Sequence, residues 1–142
     1  MTPHSKPRRV AALLCAAPLT LGLAACGNTV ATSSFKGEDH AAAQTISNLQ
    51  ADATANDPAK LCANDLAAPV VAKLGGKKGC EAAIKSQLTE IDSLEVSVQS
   101  VKLGPGGNTA TAGVRSTYGG KSRARTVTLA KEGGKWKVSS LR

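Results

Sequence analysis

The sequence predicts an α+β domain, with N-terminal helices packed on one face of a four-stranded antiparallel sheet. Three observations carry this expectation. Apolar residues recur at helical spacing between residues 38 and 89, the spacing changes to period two after Leu94, and Gly119-Gly120 and Gly133-Gly134 punctuate the second half as hairpin turns. Because the helical part comes first and the strands follow in one block, the strands pair as a meander and leave the helices together on one side.

Each element follows from its local pattern. Ala42, Ile46, Leu49 and Ala53 share one face of a helix over Glu38–Ala55. Asn56-Asp57-Pro58 stops that helix and starts the next, since Asp57 can cap a helix whose first residue is Pro58. Residues 58–74 give one or two short helices, interrupted near Pro69 and ended by Gly75 and Gly76. Cys62, Leu66 and Val70 fall on one helical face there. A further helix runs over Cys80–Thr89, with Cys80, Ile84, Leu88 and Ile91 as its apolar stripe. Leu94, Val96 and Val98 then alternate with polar residues, but Val101 and Leu103 fall in the opposite phase, which predicts a bulge near Ser100. Gly104-Pro105-Gly106-Gly107 belongs to a loop. Two further strands, Thr109–Tyr118 and Lys121–Lys131, flank Gly119-Gly120, and the last runs over Lys135–Leu141.

The turns fix a register. If Tyr118 pairs with Lys121, Val114 faces Arg125, Ala112 faces Val127 and Ala110 faces Leu129. If Glu132 pairs with Lys135, Val138 also faces Leu129. Both turns place Ala110, Ala112, Val114, Val127, Leu129, Trp136 and Val138 on the inner side. Thr111, Arg115, Thr117, Thr126, Thr128, Lys135 and Lys137 fall on the other side, as in a sheet wet on one face.

Ahead of this domain, residues 1–25 have the parts of an export signal. His4, Lys6, Arg8 and Arg9 precede an apolar segment from Val10 to Ala25 that ends in small residues. The segment is short for a membrane-spanning helix, which needs roughly 20 apolar residues, and Pro18 interrupts it. Leu23-Ala24-Ala25-Cys26 resembles the lipobox of bacterial lipoproteins. That resemblance implies export by the general secretory route, lipidation of the Cys26 thiol, removal of residues 1–25, and acyl chains such as palmitate that hold the chain on the extracytoplasmic face of the cell membrane. The alternative is a secretory signal cut at an Ala-x-Ala-like site, leaving Cys26 as a free thiol. Residues 27–37 are rich in Thr, Ser, Asn and Ala and read as a flexible tether to a single domain over 38–142.

Removing residues 1–25 takes away Lys6, Arg8 and Arg9 and lowers the formal charge from +8 to +5. The remainder is divided unevenly, −2 over residues 27–93 and +7 over 94–142. Such a basic half is either a solvated sheet face or a contact with an anionic membrane surface. Nucleic acid is not expected as a partner of an exported chain whose only aromatics after the tether are Tyr118 and Trp136.

Of the four cysteines, Cys15 leaves with the signal and Cys26 is taken by lipid, so Cys62 and Cys80 remain as a disulfide pair. No C-x-x-C motif is present, and His40 is the one histidine after the signal, so neither metal nor redox chemistry is expected. No cofactor is expected either. Gly104-Pro105-Gly106-Gly107 lacks the following Lys and hydroxyl residue of a phosphate loop and joins two strands. Gly75-Gly76-Lys77-Lys78-Gly79 fails in the same way and reads as a mobile basic loop tied at Cys80.

The helix ending in Ala53-Thr54-Ala55-Asn56-Asp57-Pro58, the cysteine pair and the closing strand Gly134-Lys135-Trp136-Lys137-Val138 together resemble the nuclear transport factor 2-like (cystatin-like) superfamily, as in many small lipoproteins of actinobacteria. The resemblance covers Glu38–Arg142 and implies a curved sheet wrapped around the helices as a cone. In that superfamily the cone binds small apolar molecules, and some members are isomerases, cyclases or dehydratases with Asp, His or Tyr inside it. Here the candidate pocket comprises Ile46 and Leu49 from the first helix and Val114, Tyr118, Arg125, Val127, Leu129 and Trp136 from the sheet. Tyr118 and Arg125 are its only polar members and neither is a ready general base, so no enzyme is expected. Arg125 either lines the mouth, where it could pair with a carboxylate or phosphate, or reaches water at the hairpin end; Trp136 reads as a core plug. The expected function is a monomeric, membrane-anchored binding module for a small apolar ligand or an envelope protein. The alternatives are an accessory envelope protein whose cone is filled by its own side chains, and an enzyme of the same fold.

Overall fold

The computed structural model describes residues 31–89 and 94–142; the expected export signal, Cys26 and Ile91 lie outside them. Helix α1 (Gly37–Thr54) opens with Glu38 and Asp39, whose charges favour the positive end of the helix dipole, and it buries Ala42, Ala43, Ile46 and Gln50. It ends at Asn56, whose φ of 53° is left-handed. Asp57 Oδ1 then accepts a hydrogen bond from the Lys60 N–H at 3.0 Å and caps α2 (Pro58–Lys60). α2 continues into a π-helical turn, Leu61–Asp65, closed by the Leu66 N–H donating to the Leu61 carbonyl at 3.0 Å. α3 (Ala68–Lys73) and α4 (Gly76–Leu88) complete the helical layer.

Four local expectations are corrected here. The stretch Gly76 to Gly79, expected as a mobile loop, is the first turn of α4, which therefore starts four residues before Cys80. Gly75 at φ 89° makes the left-handed corner, and Gly79 is needed because a Cβ there would collide with the Leu74 carbonyl. The break expected near Pro69 falls earlier, at Leu66-Ala67, and Pro69 sits inside the first turn of α3. Cys62, Leu66 and Val70 are consequently not one helical face. Leu66 is extended and bridges to Val138, and the Ala67 N–H donates to the Val138 carbonyl at 2.9 Å. Finally, the described part of the expected tether is packed: Thr32 is buried, its hydroxyl bonds the Gln44 side chain at 3.2 Å, and Phe35 rests against the core.

Strands β1 (Leu94–Leu103), β2 (Thr109–Tyr118), β3 (Lys121–Glu132) and β4 (Lys135–Leu141) form one antiparallel sheet in sequence order. Tyr118 pairs with Lys121, Val114 with Arg125, Ala112 with Val127, Ala110 with Leu129, and Leu129 with Val138, as the turns require. The predicted bulge lies between Val98 and Ser100, opposite Gly113, where a Cβ would sit 2.8 Å from the Ser100 hydroxyl. A second irregularity falls between Thr128 and Leu129. Both bend the sheet around α1.

All seven predicted inner-face residues are buried, with Ala112 and Leu129 fully so. Trp136 is closed in as the expected plug, and its Nε1–H donates to Glu38 Oε2 at 2.8 Å. The Gln50 side-chain oxygen accepts from the Val96 N–H at 3.2 Å and fastens α1 to β1. Cys62 and Cys80 form a disulfide with their Cα atoms 6.1 Å apart, which ties the π-helical turn to α4 beneath the sheet.

Candidate functional site

Among the described residues, two hollows flank the packed core and another lies at the tip of the β2–β3 hairpin. The apolar one, of about 250 Å³, lies between α1 and α4 over Val127 of β3 and Val138 of β4. Ile46, Leu49 and Ala53 of α1 form one wall, and Ile84 and Leu88 of α4 form the other. Val127 and Val138 make the floor, while Gln87 and Leu141 stand in the lining, Leu141 with 65% of its surface exposed. α4 is tied to the π-helical turn through Cys80 near its N-terminal end, and Ile84 and Leu88 of its C-terminal half face the hollow.

Of the sequence-predicted pocket, Ile46, Leu49 and Val127 line this hollow. Val114 and Leu129 are packed solid in the core, whereas Trp136 belongs to the core and also lines the separate polar hollow. Tyr118 and Arg125 are not brought to it. They line the separate hollow at the hairpin tip, of about 270 Å³, with Ser116, Lys121 and Arg123. The inner-face phase continues past Val114 and Val127, but the helices do not, so the same row that is buried at one end is exposed at the other.

The second flanking hollow is polar, about 690 Å³, and runs between α1, the π-helical turn and the start of β4. Ala41, Thr45, Asn48 and Asp52 line it from one face of α1, and Asp65 and Lys137 close it from the other side. Asp65 is buried, one of its carboxylate oxygens has no hydrogen-bond donor, and Asp52 lies within hydrogen-bonding reach. Burial first, and then the neighbouring Asp52, push the Asp65 carboxyl up to about 7, against a smaller opposite pull from Lys137. Lys137 is itself held by the Ala63 carbonyl at 2.7 Å. Below a pH of about 7 the Asp65 carboxyl therefore keeps a proton that it can share with Asp52 as a hydrogen bond. The sequence reading missed this pair. The polar stripe at 41, 45, 48 and 52 was visible beside the apolar one, but Asp65 reaches it only through the break after the π-helical turn.

At the closed end, Glu38 accepts hydrogen bonds from Lys131 Nζ at 2.9 Å and from Trp136, and these hold its carboxyl below the usual carboxylate range. Lys131 also lies 5.5 Å from the Trp136 ring centre. That cluster is a structural latch, since every charged member already has its partner.

These elements define an α+β fold, helices packed on one face of a four-stranded antiparallel sheet. No protein-family model matches the chain, and no curated protein matches it in sequence. Among solved structures it is similar to a designed protein named for nuclear transport factor 2, with a TM-score of 0.48 and 14% identity over 70% of this chain and 92% of that one. It is also similar to a de novo designed protein with a curved β-sheet, with a TM-score of 0.38 and 18% identity over 47% of this chain and 62% of that one. Among the described residues no helix is long and apolar enough to cross a membrane, and no group of three or more His, Cys, Asp or Glu side chains is arranged to hold a metal ion.

Proposed function

We propose that this chain is a non-enzymatic binding module of the cell envelope, anchored through lipid on Cys26, whose cone takes up a small apolar ligand. The observation that carries the binding part is the apolar hollow of about 250 Å³ between α1 and α4. An enclosed apolar space of about 150 Å³ is enough for a benzene-sized guest, whereas drug-sized ligands occupy about 300–1,000 Å³. The ligand class is therefore a single ring or a short acyl chain. Gln87 is the polar residue in the lining, so recognition rests on shape and burial. The anchoring part is supported by Leu23-Ala24-Ala25-Cys26 at the end of an apolar segment, a pattern that suits lipid attachment.

The non-enzymatic part is supported by the same lining, which holds no acid, base or nucleophile. The Asp52–Asp65 pair favours a second reading, acid–base chemistry in the polar hollow, because a carboxyl near pH 7 can both give and take a proton. We place it second because one lone pair of that carboxyl is turned away from solvent and Lys137 is already committed to Ala63.

The full chain, extracted from bacterial membranes in mild detergent, tests the first reading by native mass spectrometry and by fluorescence of the single-ring dye 4-(dimethylamino)benzonitrile. Bound apolar mass or dye, lost on Leu49→Trp, is the expected result. No uptake by the folded chain would leave a filled cone and an accessory role. Metabolic labelling with an alkyne fatty acid, lost on Cys26→Ala, tests the anchor separately.

A further inference from the structure

We propose that the concave side of the β2–β3 hairpin tip is a docking surface for the phosphate headgroups of an anionic phospholipid membrane. Between Glu95 and Glu132 the sequence holds no acidic residue, yet it holds Arg115, Lys121, Arg123 and Arg125 at the hairpin. The register sorts these cations by face. Lys121, Arg123 and Arg125 pair with Tyr118, Ser116 and Val114, so all three project from the concave side, where they line a hollow of about 270 Å³. The alternate positions on that strand, Ser122 and Ala124, are small and uncharged.

Charge on an edge strand commonly guards against strand addition, and Lys121 to Arg125 is such an edge, because β4 and Arg142 pair with β3 only from Thr126 onward. A guard works from either face. It does not account for three cations on the concave side against one, Arg115, on the outer side. Among the described residues none of these cations is in an ion pair, those being Lys60–Asp57, Lys77–Glu81 and Lys131–Glu38, and Glu95 pairs with Thr117 on the opposite face. All three cations are exposed. Two guanidinium forks and an ammonium around a shallow hollow match phosphate oxygens in charge and geometry. Tyr118, 49% exposed at the end of the same hollow, supplies the kind of amphipathic ring that settles at headgroup level.

The test uses the full chain carrying Cys26→Ser, so that no acyl chain contributes and the result stands whether or not the anchor proposal does. Hydrogen exchange is followed at residues 115–126 while vesicles are titrated in. Vesicles of phosphatidylglycerol with phosphatidylcholine are expected to protect the hairpin, phosphatidylcholine alone is not, and about 1 M salt should remove the protection, since the screening length there is about 3 Å. Each basic group near an anionic surface contributes about fivefold in affinity, so Arg123→Gln with Arg125→Gln should raise the midpoint about 25-fold. Arg115→Gln carries the same charge change on the outer face and should shift it less than either single concave variant. Exchange elsewhere in the chain reports whether each variant is folded, and Lys121→Gln provides a further concave-side change. No hairpin protection on the anionic vesicles, equal protection on both vesicle types, or equal effects of Arg115→Gln and Arg123→Gln would each overturn the proposal. Protection by inorganic phosphate with none on vesicles would overturn it in favour of a soluble phosphorylated ligand.

Discussion

The two ends of the concave face begin from the same sequence pattern and finish differently. At the closed end, α1 presents Ala42 and Ala43 to a sheet that presents Ala110, Ala112, Leu129 and Trp136, and large and small side chains fill the space between them. At the open end, Ile46, Leu49 and Ala53 of α1 share the hollow's lining with Val127, Val138 and, from α4, Ile84 and Leu88, and about 250 Å³ stays unfilled. Whether an apolar stripe becomes core or cavity is thus decided less by its own residues than by what is placed opposite it.

The largest effect that would break this contrast is at the closed end. Leu129 is fully buried, so Leu129→Ala removes packing from all sides and should cost about 2–5 kcal/mol in urea unfolding. Leu141→Ala, at the rim of the open end, should stay within about 0.5 kcal/mol. Similar costs at the two positions would mean that the open end is packed like the closed one.

Next is the bridge that sets where α4 stands. Cys62 and Cys80 are separated by 18 residues, and a loop of that length contributes about 3 kcal/mol in the chain-entropy account. Reduction, or Cys62→Ala with Cys80→Ala, should lower unfolding stability by that order and loosen the wall made by Ile84 and Leu88. Unchanged stability together with unchanged dye uptake would show that α4 is placed by packing alone.

The polar hollow sharpens the comparison with a pH dependence. Asp65 has its carboxyl raised from 3.8 to about 7, so its ionised form is the disfavoured one in the folded chain. The stability it contributes is fully present below its unfolded pKa and is lost as the pH rises through about 7. Asp65→Asn should therefore be more stable than the natural chain at pH 8, on the order of 2 kcal/mol, and the difference should close toward pH 4. Asp52→Asn should act in the same direction but more weakly, by removing the second cause of the shift. A difference independent of pH would show that the two carboxyl groups do not share a proton.

How far the sequence spoke follows from the same contrast. The sheet was legible residue by residue, because Gly119-Gly120 and Gly133-Gly134 set two hairpins and the phase change at Ser100 marked the bulge. Those signals are local. The start of α4 was not legible, because three glycines disfavour a helix and only the close approach of Leu74 to Gly79 and the tie at Cys80 hold it. Nor was the break at Leu66, which exists because the free edge of β4 takes Leu66 and Ala67 as partners. Both misses bear on the sites. The first decides where the apolar hollow lies, and the second brings Asp65 to Asp52. Periodicity said which side chains face inward, but it carries no information on where facing layers fail to meet.

The smallest expected effect is the most telling about the open end. If the hollow is only imperfect packing, filling it should stabilise the chain and alter nothing else. If it is a binding space, filling should stabilise the empty chain and remove uptake together. Ile84→Phe enlarges the α4 wall into the hollow, and changes of this kind commonly add about 0.5–2 kcal/mol. We expect a gain toward the low end of that range, because Ile84 is half-buried and the added ring leaves some surface in water. Fluorescence of 4-(dimethylamino)benzonitrile should fall to the level of buffer. A gain in stability with dye uptake intact would place binding outside the hollow. A loss beyond about 2 kcal/mol would mean that there was no room for the ring, and that the open end is core after all.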